Sequence, residues 1–172
     1  MNIRELKPLP LTKERFAAYG DVIETGQVEP GSMNDARFER YNDLCSLDAG
    51  DGRIAVSIAC SRTPSSLPHR VDMVERHPLG SQAFIPLTQS RLYIVVAPAA
   101  ENVETADLVA FESNGRQGIN YHRGTWHMPL LALESGQRYL IIDRAAGAPN
   151  CDIHRLDEPV LLLGRDASVP PL

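Results

Sequence analysis

Two stretches of this chain carry the residue types of proton-transfer or metal chemistry. The first is Glu75-Arg76-His77-Pro78-Leu79-Gly80-Ser81-Gln82. In an extended strand alternate side chains share a face, so Glu75 and His77 point the same way. Pro78 to Ser81 reads as a turn, after which Gln82 opens a second strand and returns to that face. One hairpin thereby converges a carboxylate, an imidazole and an amide. A surface hairpin with solvated charges is the competing reading. The second stretch is Asn120-Tyr121-His122-Arg123-Gly124-Thr125-Trp126-His127-Met128-Pro129, which holds two histidines, an arginine and the only tryptophan. Asn120 and His122 share one strand face, and Tyr121 and Arg123 share the other. Gly124 permits a turn, after which His127 opens a new strand. A buried tryptophan beside a hydrogen-bonded core histidine is the alternative here.

Together the two stretches loosely resemble the paired motifs of cupin barrels. There the first motif supplies two histidines and a carboxylate, and the second supplies one histidine. Glu75 stands where the first histidine would be, His77 is the second, Gln82 falls near the carboxylate, and His127 is the later histidine. Imidazoles and oxygen donors of this kind can hold a divalent metal, with His77, Gln82 and His127 as ligands. The same groups equally suit metal-free acid/base work.

The elements that must position these residues read mostly as strands. Arg53–Cys60, Ala83–Leu87, Arg91–Ala97, Ala106–Phe111, Gly118–His122, Tyr139–Asp143 and Val160–Leu163 are short β-rich runs. Gly, Pro, Asn or Asp separates them, as in an antiparallel sandwich or barrel. Thr12 to Tyr19 reads as a short helix capped by Thr12 and ended by Gly20, and Asp21 to Glu24 starts extended structure. Gly50-Asp-Gly52-Arg-Ile-Ala55 fits the letters of a dinucleotide fingerprint. A turn-like LDAGD precedes it and a strand-like run follows, so it reads as a hairpin turn.

Composition excludes other classes. A length of 172 residues predicts one domain, over residues 1–165, with a loose tail at 166–172. A formal net charge of -5 argues against a nucleic-acid surface. The longest near-continuous apolar run, Leu92 to Ala100, falls well short of a membrane span. The opening MNIRELKPLPLTKERF has no apolar segment of a secretory signal. Three scattered cysteines, Cys45, Cys60 and Cys151, read as free thiols of a reducing cytoplasm. The two lysines, Lys7 and Lys13, lie near the N-terminus and suit no Schiff-base mechanism. The 15 arginines include candidates for gripping a carboxylate.

The strings ERHPLGSQAFIPL (Glu75 to Leu87) and GINYHRGTWHMPLLAL (Gly118 to Leu133) resemble the ureidoglycolate lyase family of allantoin degradation. AYGDVIE, ERYNDL and IDRAAGAPNCDI extend the resemblance in order over nearly the whole chain. The family's usual WHHPL reads WHMPL here, so Met128 replaces a second imidazole. The resemblance implies an all-β fold, a cupin-like antiparallel barrel with a short N-terminal helix. It also implies a homodimer acting on a small molecule, while charge, apolar runs and cysteine usage give the expectation of a cytoplasmic protein with neither nucleic acid nor membrane as partner. Nickel is the metal it implies. The implied reaction is elimination of urea from (S)-ureidoglycolate to give glyoxylate, a step of purine nitrogen catabolism.

That substrate carries a hydroxyl, a carboxylate and a ureido nitrogen on one carbon. Elimination needs a base for the hydroxyl proton and an acid for the leaving nitrogen, and no nucleophile. His127 or Glu75 is expected as the base and His77 as the acid. Gln82 and Asn120 are expected to bind the ureido group, and Arg123 or Arg70 the carboxylate. An amidohydrolase releasing ammonia, a cupin-like protein that binds a small carboxylate without turnover, and a metal-dependent oxygenase are the alternatives.

Overall fold

Val, Ile, Tyr and Phe alternate with small or polar residues along much of the chain, and such runs pair into half-buried strands. The computed structural model describes residues 3–26 and 28–164, so the expected tail at 166–172 lies outside the described residues. In chain order the first elements are β1 (Arg4–Leu6), β2 (Leu9–Pro10), α1 (Lys13–Phe16), β3 (Gly20–Ile23), β4 (Gly31–Met33), β5 (Phe38–Arg40), β6 (Arg53–Cys60) and β7 (His69–Arg76). There follow β8 (Gln82–Pro86), β9 (Tyr93–Ala97), β10 (Val109–Glu112), β11 (Gly118–Tyr121), β12 (Trp126–His127), β13 (Arg138–Ala145) and β14 (Asp152–Leu162).

The strands form a seven-stranded sheet, in the order β1-β14-β7-β12-β9-β10-β2, and a five-stranded sheet, in the order β3-β11-β8-β13-β6. A small β4-β5 pair stands apart from both. Pairing is antiparallel except where β1 joins β14 and β2 joins β10. The expected all-β, largely antiparallel architecture with a short N-terminal helix is therefore present. No helix is long and apolar enough to cross a membrane among the described residues.

Alternation divides the side chains between two cores. Ile94 and Val96 of β9 and Phe111 of β10 meet Phe84, Ile119, Tyr121 and Tyr139 of the other sheet, with Phe16 of α1 packed among them. This cluster holds the two sheets face to face. Val95 and Ala97 point the other way and pack with Val74, Trp126, Met128, Leu131, Val160 and Leu162. Each large apolar side chain buried in this way contributes about 1.5–3 kcal/mol.

Local departures from expectation have local causes. Thr12 caps α1 by accepting the Arg15 N–H at 3.3 Å. The helix ends at Phe16 rather than Tyr19, because the Tyr19 N–H turns to the Phe16 carbonyl at 2.8 Å, a tighter three-residue bond. Gly20 then lies so close to the Asn120 carbonyl of β11 that any side chain would collide with it. A 3-10 turn at Thr105–Asp107 delays β10 to Val109. The strand β7 is not among the expected runs beyond the extended Glu75 segment, and β14 begins at Asp152, well before the expected Val160. Charges interrupt β7, and β14 shifts register between Arg155 and Val160, which breaks the two-residue period. The fingerprint-like Gly50 to Ala55 is a turn leading into β6, closed by the Gly52 N–H on the Ala49 carbonyl at 2.8 Å.

Candidate active site

Two cross-strand rows face each other where the sheets meet. On the seven-stranded sheet His127 of β12 lies directly opposite Glu75 of β7. On the five-stranded sheet Tyr121, Gln82 and Asp143 stand side by side on β11, β8 and β13. Directly paired residues share a face, so each row projects as a unit. His77 follows the end of β7 and spans the two rows. One ligand-type atom each from Glu75, His77 and His127 lies within 4.8 Å of the others. The rings of His77 and His127 are 5.3 Å apart, centre to centre.

His127 is buried, with 1% of its side chain exposed. It stacks on Tyr121 at 4.1 Å and an interplanar angle of 10°. Its Nδ1 donates to the Met128 carbonyl at 3.2 Å, which leaves the lone pair on Nε2. That nitrogen is buried and has no hydrogen-bond partner among the described residues. Burial, and then the neighbouring His77, push His127 down to about 3, so it stays neutral. Burial and the Glu75 charge likewise push the Tyr121 hydroxyl up, keeping it a neutral phenol.

His77 is held on both sides. Nδ1 donates to the Asn150 carbonyl at 2.5 Å, and Nε2 faces Gln82 Oε1 at 3.1 Å. The Gln82 amide is oriented by its Nε2, which donates to Asp143 Oδ2 at 3.4 Å. Both ring nitrogens thus face oxygen atoms, which fixes the orientation of the ring. Glu75, with 21% of its side chain exposed, has Oε1 3.9 Å from His127 Nδ1. The trio of one carboxylate and two imidazoles can hold a metal ion, and the unpartnered Nε2 of His127 is the donor atom best prepared for it.

The structure brings Glu75, His77, Gln82 and His127 together, and three other expected residues elsewhere. Asn120 alternates with Tyr121 and so faces away from the triad, where its Nδ2 donates to Asp21 Oδ2 and the Ser46 carbonyl, both at 2.9 Å. Arg70 is exposed on β7, five residues before Glu75 and roughly 17 Å along the strand. Arg123 lies at the rim. Its backbone neighbour Gly124 donates to the His77 carbonyl at 3.0 Å, while its guanidinium grips Asp48 through bonds of 2.8 and 2.7 Å. Met128 points away from the triad into the apolar cluster with Trp126 and Leu131, so an imidazole there would not face the site.

Sequence reasoning missed Tyr121, Asp143 and Asn150. For Asp143 a signal existed, because Tyr139, Ile141 and Asp143 share one strand face and a carboxylate ending an inward apolar stripe has a use. The Asn150 contact runs through a backbone carbonyl, which no side-chain pattern marks.

The family model described as ureidoglycolate lyase matches residues 3–163. The chain is 42% identical to the ureidoglycolate lyase of Pseudomonas putida over 162 residues, 94% of this chain and 97% of that protein. It is 43% identical to the ureidoglycolate lyase of Pseudomonas aeruginosa over 163 residues, 94% and 96% of the two chains. Among solved structures an rmlC epimerase of Mycobacterium tuberculosis is similar over 83% of this chain and 81% of its own, at 19% identity and a TM-score of 0.41.

Proposed function

The chain belongs to the ureidoglycolate lyase family, and from that premise we propose that the hollow around Glu75, His77 and His127 eliminates urea from (S)-ureidoglycolate. Glu75 takes the proton of the substrate hydroxyl. The oxygen's electron pair closes to a carbonyl as the carbon–nitrogen bond breaks, and His77 delivers a proton to the departing nitrogen. Glyoxylate and urea result, Glu75 is left protonated and His77 one proton short, and a proton returns from Glu75 to His77 before the next turnover. His127, neutral through burial, is a weak base and serves as a fixed acceptor that orients the substrate. The observation that carries this reading is the meeting of a carboxylate and two differently held imidazoles within 4.8 Å.

Gln82, fixed by Asp143, is placed to receive the ureido group. Arg123 is the arginine we assign to the substrate carboxylate, with Asp48 as the partner it exchanges. Asn120 and Arg70 take no part, since neither faces the hollow. The donor set also fits a divalent ion such as nickel, held by His127 Nε2, a nitrogen of His77 and an oxygen of Glu75 or Gln82. Such an ion would supply Lewis-acid polarisation of a substrate oxygen.

The test is incubation with racemic ureidoglycolate before and after chelation. Urea and glyoxylate in equal amounts are expected. Ammonia in place of urea overturns the reading in favour of an amidohydrolase, and binding without product in favour of a binding protein. Activity that falls on chelation and returns with nickel supports the ion, and unchanged activity removes it.

We also propose that a second copy covers the outer face of the five-stranded sheet. Ile54, Val56 and Ile58 alternate along the edge strand β6 and are exposed. Val56 and Ile58 lie beside Ile142 and Leu140 of β13. An apolar edge of this length is a pairing surface in solution. A monomer by light scattering at micromolar concentration rejects the dimer. Unpaired Cys45, Cys60 and Cys151 fit the reducing cytoplasm as its compartment.

A further inference from the structure

We propose that Asn150, Cys151 and Asp152 form a latch that positions Glu75 and His77, a role that rests on the reading of the site given above. The register of β14 on β7 sets it up. Asp152 lies opposite Arg76 and Ile153 opposite Glu75. Continuing that antiparallel pairing one step back brings Cys151 across from His77. By alternation Cys151 shares a face with Ile153 and Glu75, as a diagonal cross-strand neighbour of the carboxylate.

Three consecutive residues then hold four groups of the opposing segment. The Asn150 carbonyl accepts from His77 Nδ1 at 2.5 Å, and Asn150 Oδ1 accepts the Leu79 N–H at 2.7 Å. Cys151 Sγ donates to Glu75 Oε2 at 3.7 Å. Asp152 Oδ2 accepts from Arg76 Nε at 2.9 Å. Arg76 in turn lies over the Trp126 ring at 4.7 Å, beside His127 in the chain. Two of the contacts fall on Glu75 and His77 themselves, one on Arg76 between them, and one on Leu79 two residues beyond.

The consequences are specific. His77 stands at the start of a turn, where its backbone is no longer held by a strand ladder. The Asn150 carbonyl fixes which nitrogen carries a proton there and aims Nε2 at Gln82. The Asn150 side chain, through Leu79, keeps that carbonyl in place by tying the loop before β14 to the turn after His77. The thiol occupies Glu75 Oε2 and leaves Oε1 toward His127. These are positioning residues, because they act through Glu75 and His77. Displacing a catalytic group by about 1 Å can cost on the order of a hundredfold in rate.

The test compares Asn150→Ala with Asn150→Asp, and Cys151→Ala with Cys151→Ser, in the full chain. In each pair the second variant keeps the acceptor or donor that the first removes. Both alanine variants are expected to lose about tenfold or more in kcat with KM changed less than threefold, and each conservative variant to recover most of that loss. Tm is recorded for all four, and the pattern is expected to be independent of it. Alanine variants within twofold of the wild-type kcat overturn the latch. So does equal loss in both members of each pair, which marks a merely structural segment. His77→Ala in the same assay separates the levels. If it keeps the wild-type rate, the site reading and the latch both fall. If it is inactive while the alanine variants are not, only the latch does.

Discussion

Two imidazole–carboxylate pairs, whose histidines lie five residues apart in sequence, behave oppositely. His122 faces Asp21 at 3.2 Å with 44% of its side chain exposed, and its partner is also bonded by Asn120 and the Ser46 N–H. His127 has 1% exposure, a glutamate at 3.9 Å, and a ring nitrogen with no partner among the described residues. The functional groups are the same, and what differs is exposure to water and the state of the imidazole. In the outer pair both oxygens of the carboxylate already have partners, Oδ1 in His122 and Oδ2 in Asn120 and the Ser46 N–H. In the inner pair burial removes solvent, keeps the imidazole neutral and leaves a lone pair unused. Strand alternation between Asn120 and Tyr121 decides which set of side chains goes to which surroundings.

The comparison breaks most sharply in catalysis. His77→Ala and Glu75→Gln are each expected to lower kcat by about 10²–10⁴, the range for a positioned acid or base. His122→Ala should stay within a fewfold of wild type. The measurement is initial rate of urea and glyoxylate release at saturating substrate. Loss of only a few-fold for His77→Ala, or a loss for His122→Ala equal to it, would erase the distinction between the pairs.

The same contrast explains how much of the site was legible in sequence. Glu75, His77, Gln82 and His127 could be placed because a turn and the two-residue period fix their faces without knowledge of the partner sheet. The period also put Asn120 and His122 on one face, and both meet Asp21. It could not say which face is inward, because that depends on the sheet packed against β11, and the polar amide was chosen over Tyr121. Asn120 is buried all the same, beneath the Ser46 segment rather than in the hollow. The β6 strand was read in full because both its faces show a regular pattern. Most of β14 was not, because its register shift interrupts that pattern.

A second, intermediate effect concerns stability against pH. His127 has an ordinary value of 6.5 and is pushed down to about 3 in the fold, mainly by burial. The unfolded chain therefore binds a proton that the folded chain refuses between those values. Stability from this residue is complete above about 6.5 and is lost as pH falls toward 3, by on the order of a few kcal/mol. His127→Phe removes the titration while filling the same stacked position on Tyr121. Urea midpoints at pH 7 and pH 4.5 should differ less in the variant than in the wild type. An equal pH effect in both proteins would mean that water reaches the ring and the inner pair is no drier than the outer one.

The smallest effect tests the outer pair from within. His122 is nearly half exposed, so its ion pair with Asp21 contributes at most about 1 kcal/mol. His122→Gln should therefore shift Tm by no more than roughly 2–4 °C. Asp21 carries more, because it also satisfies the buried Asn120 amide and the Ser46 N–H at 2.9 and 3.0 Å. Burial opposes its ionisation, yet the bonds from Asn120, Ser46 and His122 outweigh this and lower its carboxyl below the usual range. Asp21→Ala leaves those donors short of an acceptor, at a cost of about 1–3 kcal/mol for each one that stays buried. The order expected in thermal melts is thus Asp21→Ala well below His122→Gln, with kcat near wild type in the latter. A His122→Gln variant as destabilised as Asp21→Ala would show that the imidazole itself, rather than the carboxylate's buried partners, holds that face of the sheet.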